Sequence, residues 1–188
     1  SLFAPFFAEH NFTSIDCSPD SANERGAYNA SMLDDPRCIR IKNFRRGTVE
    51  NTGEAAASAD LIVLPNIIHH IRDQDAVFAE ISRVLKPGGT GMIFEALVRE
   101  LHQSPDDFVR YTPWGFEYML QKSGLALDDF RQTGGPFSVI AYCWVQALEY
   151  FPEAERENMQ AWFNKEHFPQ LMQWETAHTE NKVRNFTS

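Results

Sequence analysis

Along the first two-thirds of the chain the apolar positions switch between helical and strand-like spacing, and each switch marks an element. Leu2, Phe3, Phe6 and Phe7 share one helical face, and that helix is predicted to close near Asn11. Phe12–Ile15 then reads as a short strand stopping at Asp16, with Ser18-Pro19 opening a turn. Ile39 and Ile41 fall on one face of an alternating run, which predicts a strand over 38–43, and the polar stretch 45–59 reads as a loop. Asp60-Leu-Ile-Val-Leu64 is a continuous apolar run closed by Pro65-Asn66, as expected of a strand buried on both faces.

Val77, Phe78, Ile81, Val84 and Leu85 then recur at helical spacing, predicting a helix over 73–86 capped by Asp73 or Asp75. Lys86-Pro-Gly-Gly89 should end it. Strands are predicted over 91–95 and 125–131, and a helix over 113–123 that starts at Thr112-Pro113 and is closed by Gly124. Phe137–Phe151 reads as an apolar helix. Residues 153–180 read as one or two amphipathic helices with Trp162, Phe163, Phe168 and Leu171 turned inward. Residues 182–186 resemble the entry to a last strand.

Strands alternating with helices imply an α/β fold in which a mostly parallel central sheet is sandwiched between helical layers. A helical C-terminal extension follows. With 188 residues the chain is read as a single domain, 1–135 being the sheet-bearing part and 136–188 the helical part.

Composition narrows the function classes. The formal charge of −9 gives no electrostatic footprint for nucleic acid. The three cysteines, Cys17, Cys38 and Cys143, are widely spaced and form neither a disulfide scaffold nor a metal knuckle, so no metal site is predicted and a reducing, cytoplasmic setting is expected. No run is long and apolar enough for a membrane span. Fifteen Phe and four Trp suggest a cleft lined with rings.

Two places carry candidate chemistry. Asp16 ends an early strand at the sheet edge where open α/β folds bind ligands, and its carboxylate suits a pair of vicinal ribose hydroxyls. The same residue would serve equally as the first acceptor of an Asx turn. His69 and His70 follow the strand 60–64 on that same edge. Either could take a proton from an acceptor, and either could simply pack and hydrogen-bond the loop.

The stretch from Ala59 to Gly89, with Leu64-Pro-Asn-Ile-Ile-His-His70 and then Glu80, Arg83, Val84, Leu85, Lys86, Pro87, Gly88 and Gly89 in E-x-x-R-V-L-K-P-G-G order, resembles the middle of the Rossmann-like, S-adenosylmethionine (SAM)-dependent methyltransferases of the type 11 group. Arg110-Tyr-Thr-Pro-Trp-Gly115 is similar to that group's R-(Y/F)-T-P-x-G helix start, and Phe12–Asp20 to its second strand and ribose-binding acid. The resemblance implies SAM as cofactor. Asp16 would take the ribose hydroxyls, Cys17 would lie beside the adenosine, and Leu64, Pro65 and Asn66 would line the methionine end. His70 or His69 would be the catalytic base. The E-x-x-R-V-L-K-P-G-G residues are read as structural, and Arg110, Tyr111 and Trp114 either anchor the Thr112 helix or line the acceptor cleft. The acceptor implied is a small molecule, a glycan or a lipid-linked group.

The family's glycine-rich loop has no counterpart between Ser1 and Asp16, so the chain reads as a piece lacking that loop and the last strand. A non-catalytic methyltransferase-like binding module is therefore the rival expectation. The helix from Phe137 to Leu148 carries no charge and is expected to be buried over most of its surface, with one face toward the acceptor, and the C-terminal helices are expected to offer a homodimer surface.

Overall fold

The computed structural model describes residues 10–16, 43–101 and 103–178. It falls into two units, Ser1–Ile62 with Asp73–Met92, and Val63–Arg72 with Ile93–Ser188.

In the first unit β1 (Thr13–Asp16) pairs in parallel with β2 (Asn43–Arg46), Thr13 against Asn43 and Asp16 against Arg46. The strand expected over 38–43 is thus seen at 43–46, with 38–42 outside the described residues. The predicted helix before β1 also lies outside them, as do the strand entry at 182–186 and Cys17.

A second pair joins β3 (Ala59–Pro65) and β4 (Leu85–Phe94), with helix α1 (Gln74–Val84) between them in sequence. The bonds Ser58 N–H to Val84 O (2.9 Å) and Asn66 N–H to Phe94 O (2.8 Å) advance together along both segments, which makes this pair parallel too. α1 forms for the reasons its sequence shows. Asp73 accepts from the Ala76 N–H at 3.0 Å, and Val77, Phe78, Ile81 and Val84 are buried along one stripe. Leu61–Leu64 are half-buried, not enclosed on both faces, because among the described residues β3 has β4 as its one strand neighbour.

β4 starts at Leu85 and not at 91, so Lys86-Pro-Gly-Gly89 is an extended, kinked entry to the strand. Gly88 has φ +79, the left-handed region that a side chain resists. At Gly89 a Cβ would lie 3.0 Å from Lys86 O and 3.2 Å from Ala59 O. The two glycines let the chain turn out of α1 and run straight into the sheet.

In the second unit α2 (Pro113–Lys122) is capped by Thr112, which accepts from the Gly115 N–H at 3.2 Å, and is closed by Gly124 at φ +73. The strand predicted over 125–131 is absent. Asp128, Asp129, Phe130 and Arg131 are exposed there, and no described strand lies alongside to take their backbone groups.

Three helices follow, α3 (Pro136–Ala147), α4 (Glu153–Glu166) and α5 (Phe168–His178), and α3 and α4 both pack on α5. Ala141, Phe163 and Leu171 form their core, with Phe137, Trp144 and Met172 against it. Glu175 of α5 accepts the Phe137 and Ser138 N–H groups at 2.9 and 3.1 Å, supplying from a distance the cap that Gly135 lacks. Trp162 (45% exposed) and Phe168 (41%) are only partly turned inward, Trp162 lying 5.5 Å from the Trp144 ring and Phe168 6.4 Å from the Phe163 ring. Ile140 (51%) and Val145 (46%) also remain in solvent, so α3 is half-covered, not buried over most of its surface. Among the described residues no helix is long and apolar enough to cross a membrane.

Candidate functional site

The chain leaves β3 at Pro65 and turns sharply at Asn66, which adopts φ +50. Asparagine is one of the few side chains that tolerates this conformation. Its N–H is spent on Phe94 O, which ties the turn to the end of β4. A single 3-10 turn, Ile68–His70, comes next. Its leading donors converge on Glu95, the residue after β4: Oε1 accepts the Ile67 and Ile68 N–H groups at 2.9 and 2.8 Å. The other oxygen, Oε2, lies 2.6 Å from His69 Nδ1. His69 is 2% exposed and Ile68 fully buried, so this polar knot sits in an apolar setting where a lost partner would be costly.

Geometry fixes the tautomers. A carboxylate and a carbonyl both accept, so each histidine carries its hydrogen on Nδ1: His69 gives it to Glu95, and His70 to Asp106 O at 2.5 Å. The basic lone pair then belongs to Nε2 on both rings, whose centroids are 3.9 Å apart.

A strap over residues 103–110 covers this turn. Phe108 N–H donates to His69 O at 2.8 Å, and the Arg72 guanidinium sits 5.1 Å from the Phe108 ring centroid. The strap is closed by Arg110, whose guanidinium grips the Asp107 carboxylate with two prongs, Nη2 to Oδ2 at 2.7 Å, and reaches Val109 O at 2.8 Å. The Asp107 hydrogen bonds raise the Arg110 guanidinium above its ordinary value against the opposing effect of burial. Further along, the Tyr142 hydroxyl of α3 donates to Glu100. Burial first, and that carboxylate second, push the Tyr142 phenol up.

The structure therefore sets His69, a predicted site residue, against Glu95, which the sequence does not single out, and its neighbour His70 against Asp106 O. Glu95 was placed as the end of a strand and nothing more. An acid at the carboxyl end of a strand was the signal that singled out Asp16, and it applies equally to Glu95. Asp16 ends β1 in the first unit. Leu64 is half-buried, and Pro65 and Asn66 are exposed, at the end of β3 in the second. Glu80 and Arg83 of the E-x-x-R motif pair with each other in the first unit at 2.7 Å, as a structural reading of that motif requires.

Residues 2–93 match a protein family described as a methyltransferase domain. Over that stretch, just under half of the chain, the sequence is similar to this methyltransferase family. Among curated proteins it is similar to the highly reducing polyketide synthase cm3B of Cordyceps militaris, 36% identical over 101 residues. That match takes in 50% of this chain, which spans 4% of the synthase. Among solved structures the chain is similar in fold to the [4+2]-cyclase SpnF, with 18% identity, TM-score 0.52 and coverage of 92% of this chain and 61% of that one. It is also similar to Haemonchus contortus phosphoethanolamine N-methyltransferase 2 in complex with S-adenosyl-L-methionine, with 20% identity, TM-score 0.51 and coverage of 93% and 40%. At these identities the solved structures show the fold of this chain and nothing further. They do not establish its chemistry, and a cyclase and an N-methyltransferase on one scaffold illustrate why.

Proposed function

We propose that this protein binds SAM and transfers its methyl group to a carbonyl-activated carbon of an acyl chain, with His69 as the base. The observation that carries the reading is the buried contact between His69 Nδ1 and Glu95 Oε2 at 2.6 Å.

A proton must leave such a carbon before it can act as a nucleophile, and a positioned base must receive it. His69 is arranged for that. Its Nδ1 hydrogen is held by Glu95, its Nε2, buried in this structure, would be the nitrogen to receive the acceptor's proton, and the imidazolium so formed would face a carboxylate fixed by two backbone N–H groups. Bound SAM supplies an electrophilic methyl carbon. The chain's share is to orient the acceptor and hold the proton, which is where positioned groups contribute most. For the cofactor, Asp16 stands at the carboxyl end of a parallel strand in the first unit, the kind of position where open α/β sheets bind ligands, and Leu64, Pro65 and Asn66 lie at the end of β3 in the second.

Support for an acyl acceptor comes from the polyketide synthase that shares 36% identity over half of this chain, since polyketides are acyl chains whose carbons between carbonyls are acidic. The test is methyl transfer from isotope-labelled SAM to a 3-oxoacyl pantetheine thioester, with the product's mass spectrum locating the methyl. A methyl on the carbon between the carbonyls is the expected result. Labelled product from a hydroxyl acceptor and none from the thioester would overturn the acceptor, and an absence of SAM binding in calorimetry would favour the non-catalytic module.

A further inference from the structure

The strap over the histidine turn is held by a device that the reaction itself does not require. Asp107 lies between the two strap residues that grip the turn, Asp106 accepting from His70 Nδ1 and Phe108 donating to His69 O. Its side chain is 6% exposed, and the Arg110 side chain that neutralises it is 22% exposed. The same guanidinium binds Val109 O at 2.8 Å and comes within 3.4 Å of Glu100 O, on the segment that runs on from Glu95. One cation thus ties the second half of the strap to itself and to the segment just before it. An anchor for α2 alone would need neither the buried carboxylate nor the reach back to Glu100, because Thr112 and Pro113 already start that helix.

We infer that Asp107 and Arg110 are positioning residues that preset the Nδ1–H tautomer of His70 by pinning Asp106 O against it; this rests on the reading of the turn as the base of the site. The consequence is chemical. While Asp106 O stays in place, His70 keeps its hydrogen on Nδ1 and its basic lone pair on Nε2, matching the state that Glu95 imposes on His69. A histidine released to water favours the opposite tautomer. Without the pair the two rings no longer offer the same nitrogen.

Long-range proton–nitrogen spectra of the full chain carrying isotope-labelled histidine read this directly, near pH 8 where an ordinary imidazole is neutral. The His70 signals are assigned by their loss in H70Q. Wild type is expected to show the Nδ1–H pattern at both His69 and His70. In R110Q and D107N the His70 pattern should move to Nε2–H while His69, held by Glu95, keeps its own. R110K retains the charge without the two-pronged fork and should recover part of the wild-type pattern. An unchanged His70 pattern in R110Q and D107N, with the amide spectrum intact, overturns the inference. Collapse of the amide spectrum in every variant, R110K included, overturns it as well, since the pair then serves the fold alone. If H69Q leaves methyl transfer intact while the His70 tautomer does respond to Arg110, the base reading falls and the positioning stands.

Discussion

In the first unit Glu80 holds a guanidinium, and in the second Glu95 holds an imidazole. The two carboxylates are used in much the same way. Glu80 accepts from the Thr52 N–H (2.8 Å), the Thr52 hydroxyl (2.6 Å) and Arg83 Nε and Nη2 (2.7 and 2.8 Å). Glu95 accepts from two backbone N–H groups and from His69. Both pin a loop to a regular element, the segment at Thr52 to α1 in one case and the histidine turn to the end of β4 in the other. What separates them is the partner. A guanidinium never gives up its proton under ordinary conditions, so the Glu80 arrangement is static. An imidazole has a second ring nitrogen that can take up a proton, which a guanidinium lacks, and the proposed role of His69 rests on that difference. The chemistry of the partner, more than the burial of the carboxylate, distinguishes the two clamps.

The largest effect that would break this comparison lies at His69. H69Q is expected to lower methyl transfer about 10²–10⁴-fold, the usual worth of a positioned base, with SAM affinity in calorimetry nearly unchanged. Equal turnover in H69Q would put the chemistry elsewhere.

Next comes the stability of the scaffold. E80A should cost about 2–3 kcal/mol in urea unfolding, since it strips charge-assisted hydrogen bonds from Thr52 and Arg83. The same clamp fixes a pH dependence. Arg83's hydrogen bonds lower the Glu80 carboxyl from 4.5 to about 2, with burial opposing and Thr52 assisting. Its folded value is below its unfolded one, so its stabilisation is fully present above pH 4.5 and is lost as the pH falls toward 2. Melting curves across that window should show a slope in wild type that is reduced in E80Q; parallel slopes would mean that Glu80 does not hold the loop.

A smaller effect belongs to the cofactor. D16A should weaken SAM by about 1–3 kcal/mol, the worth of charge-assisted hydrogen bonds to hydroxyls. Unchanged affinity by calorimetry would make Asp16 the first acceptor of a turn and nothing more. Smallest of all, T52A should cost about 1 kcal/mol of stability, because it removes the side-chain bond and leaves the backbone bond to Glu80. A loss as large as that of E80A would show Thr52 and Glu80 acting as one unit.

The alternation of strands and helices, α1 with its Asp73 cap and α2 with its Thr112 cap were legible because periodicity and capping are local properties. Lys86-Pro-Gly-Gly89 misled because its residues are those of a helix end, while its extended course into β4 depends on the close approach of Ala59 O to Gly89, a contact far off in sequence. The strand missing at 125–131 failed for a related reason: apolar spacing does not say whether a neighbour exists. At the site, His69 and His70 could be marked by position after a strand, yet their unequal roles could not. Those roles come from Glu95 and Asp106, 26 and 36 residues away.

The central claim is that Glu95, and not Glu80, serves the reaction through its partner. It is tested most directly by measuring methyl transfer from labelled SAM to the 3-oxoacyl thioester in E95Q and E80Q side by side, on samples shown to be folded. The account predicts that E95Q loses about 10²-fold or more in turnover with SAM still bound, while E80Q keeps turnover within a few-fold of wild type and loses stability instead. Equal turnover in E95Q and wild type, or equal losses in the two variants, would contradict it.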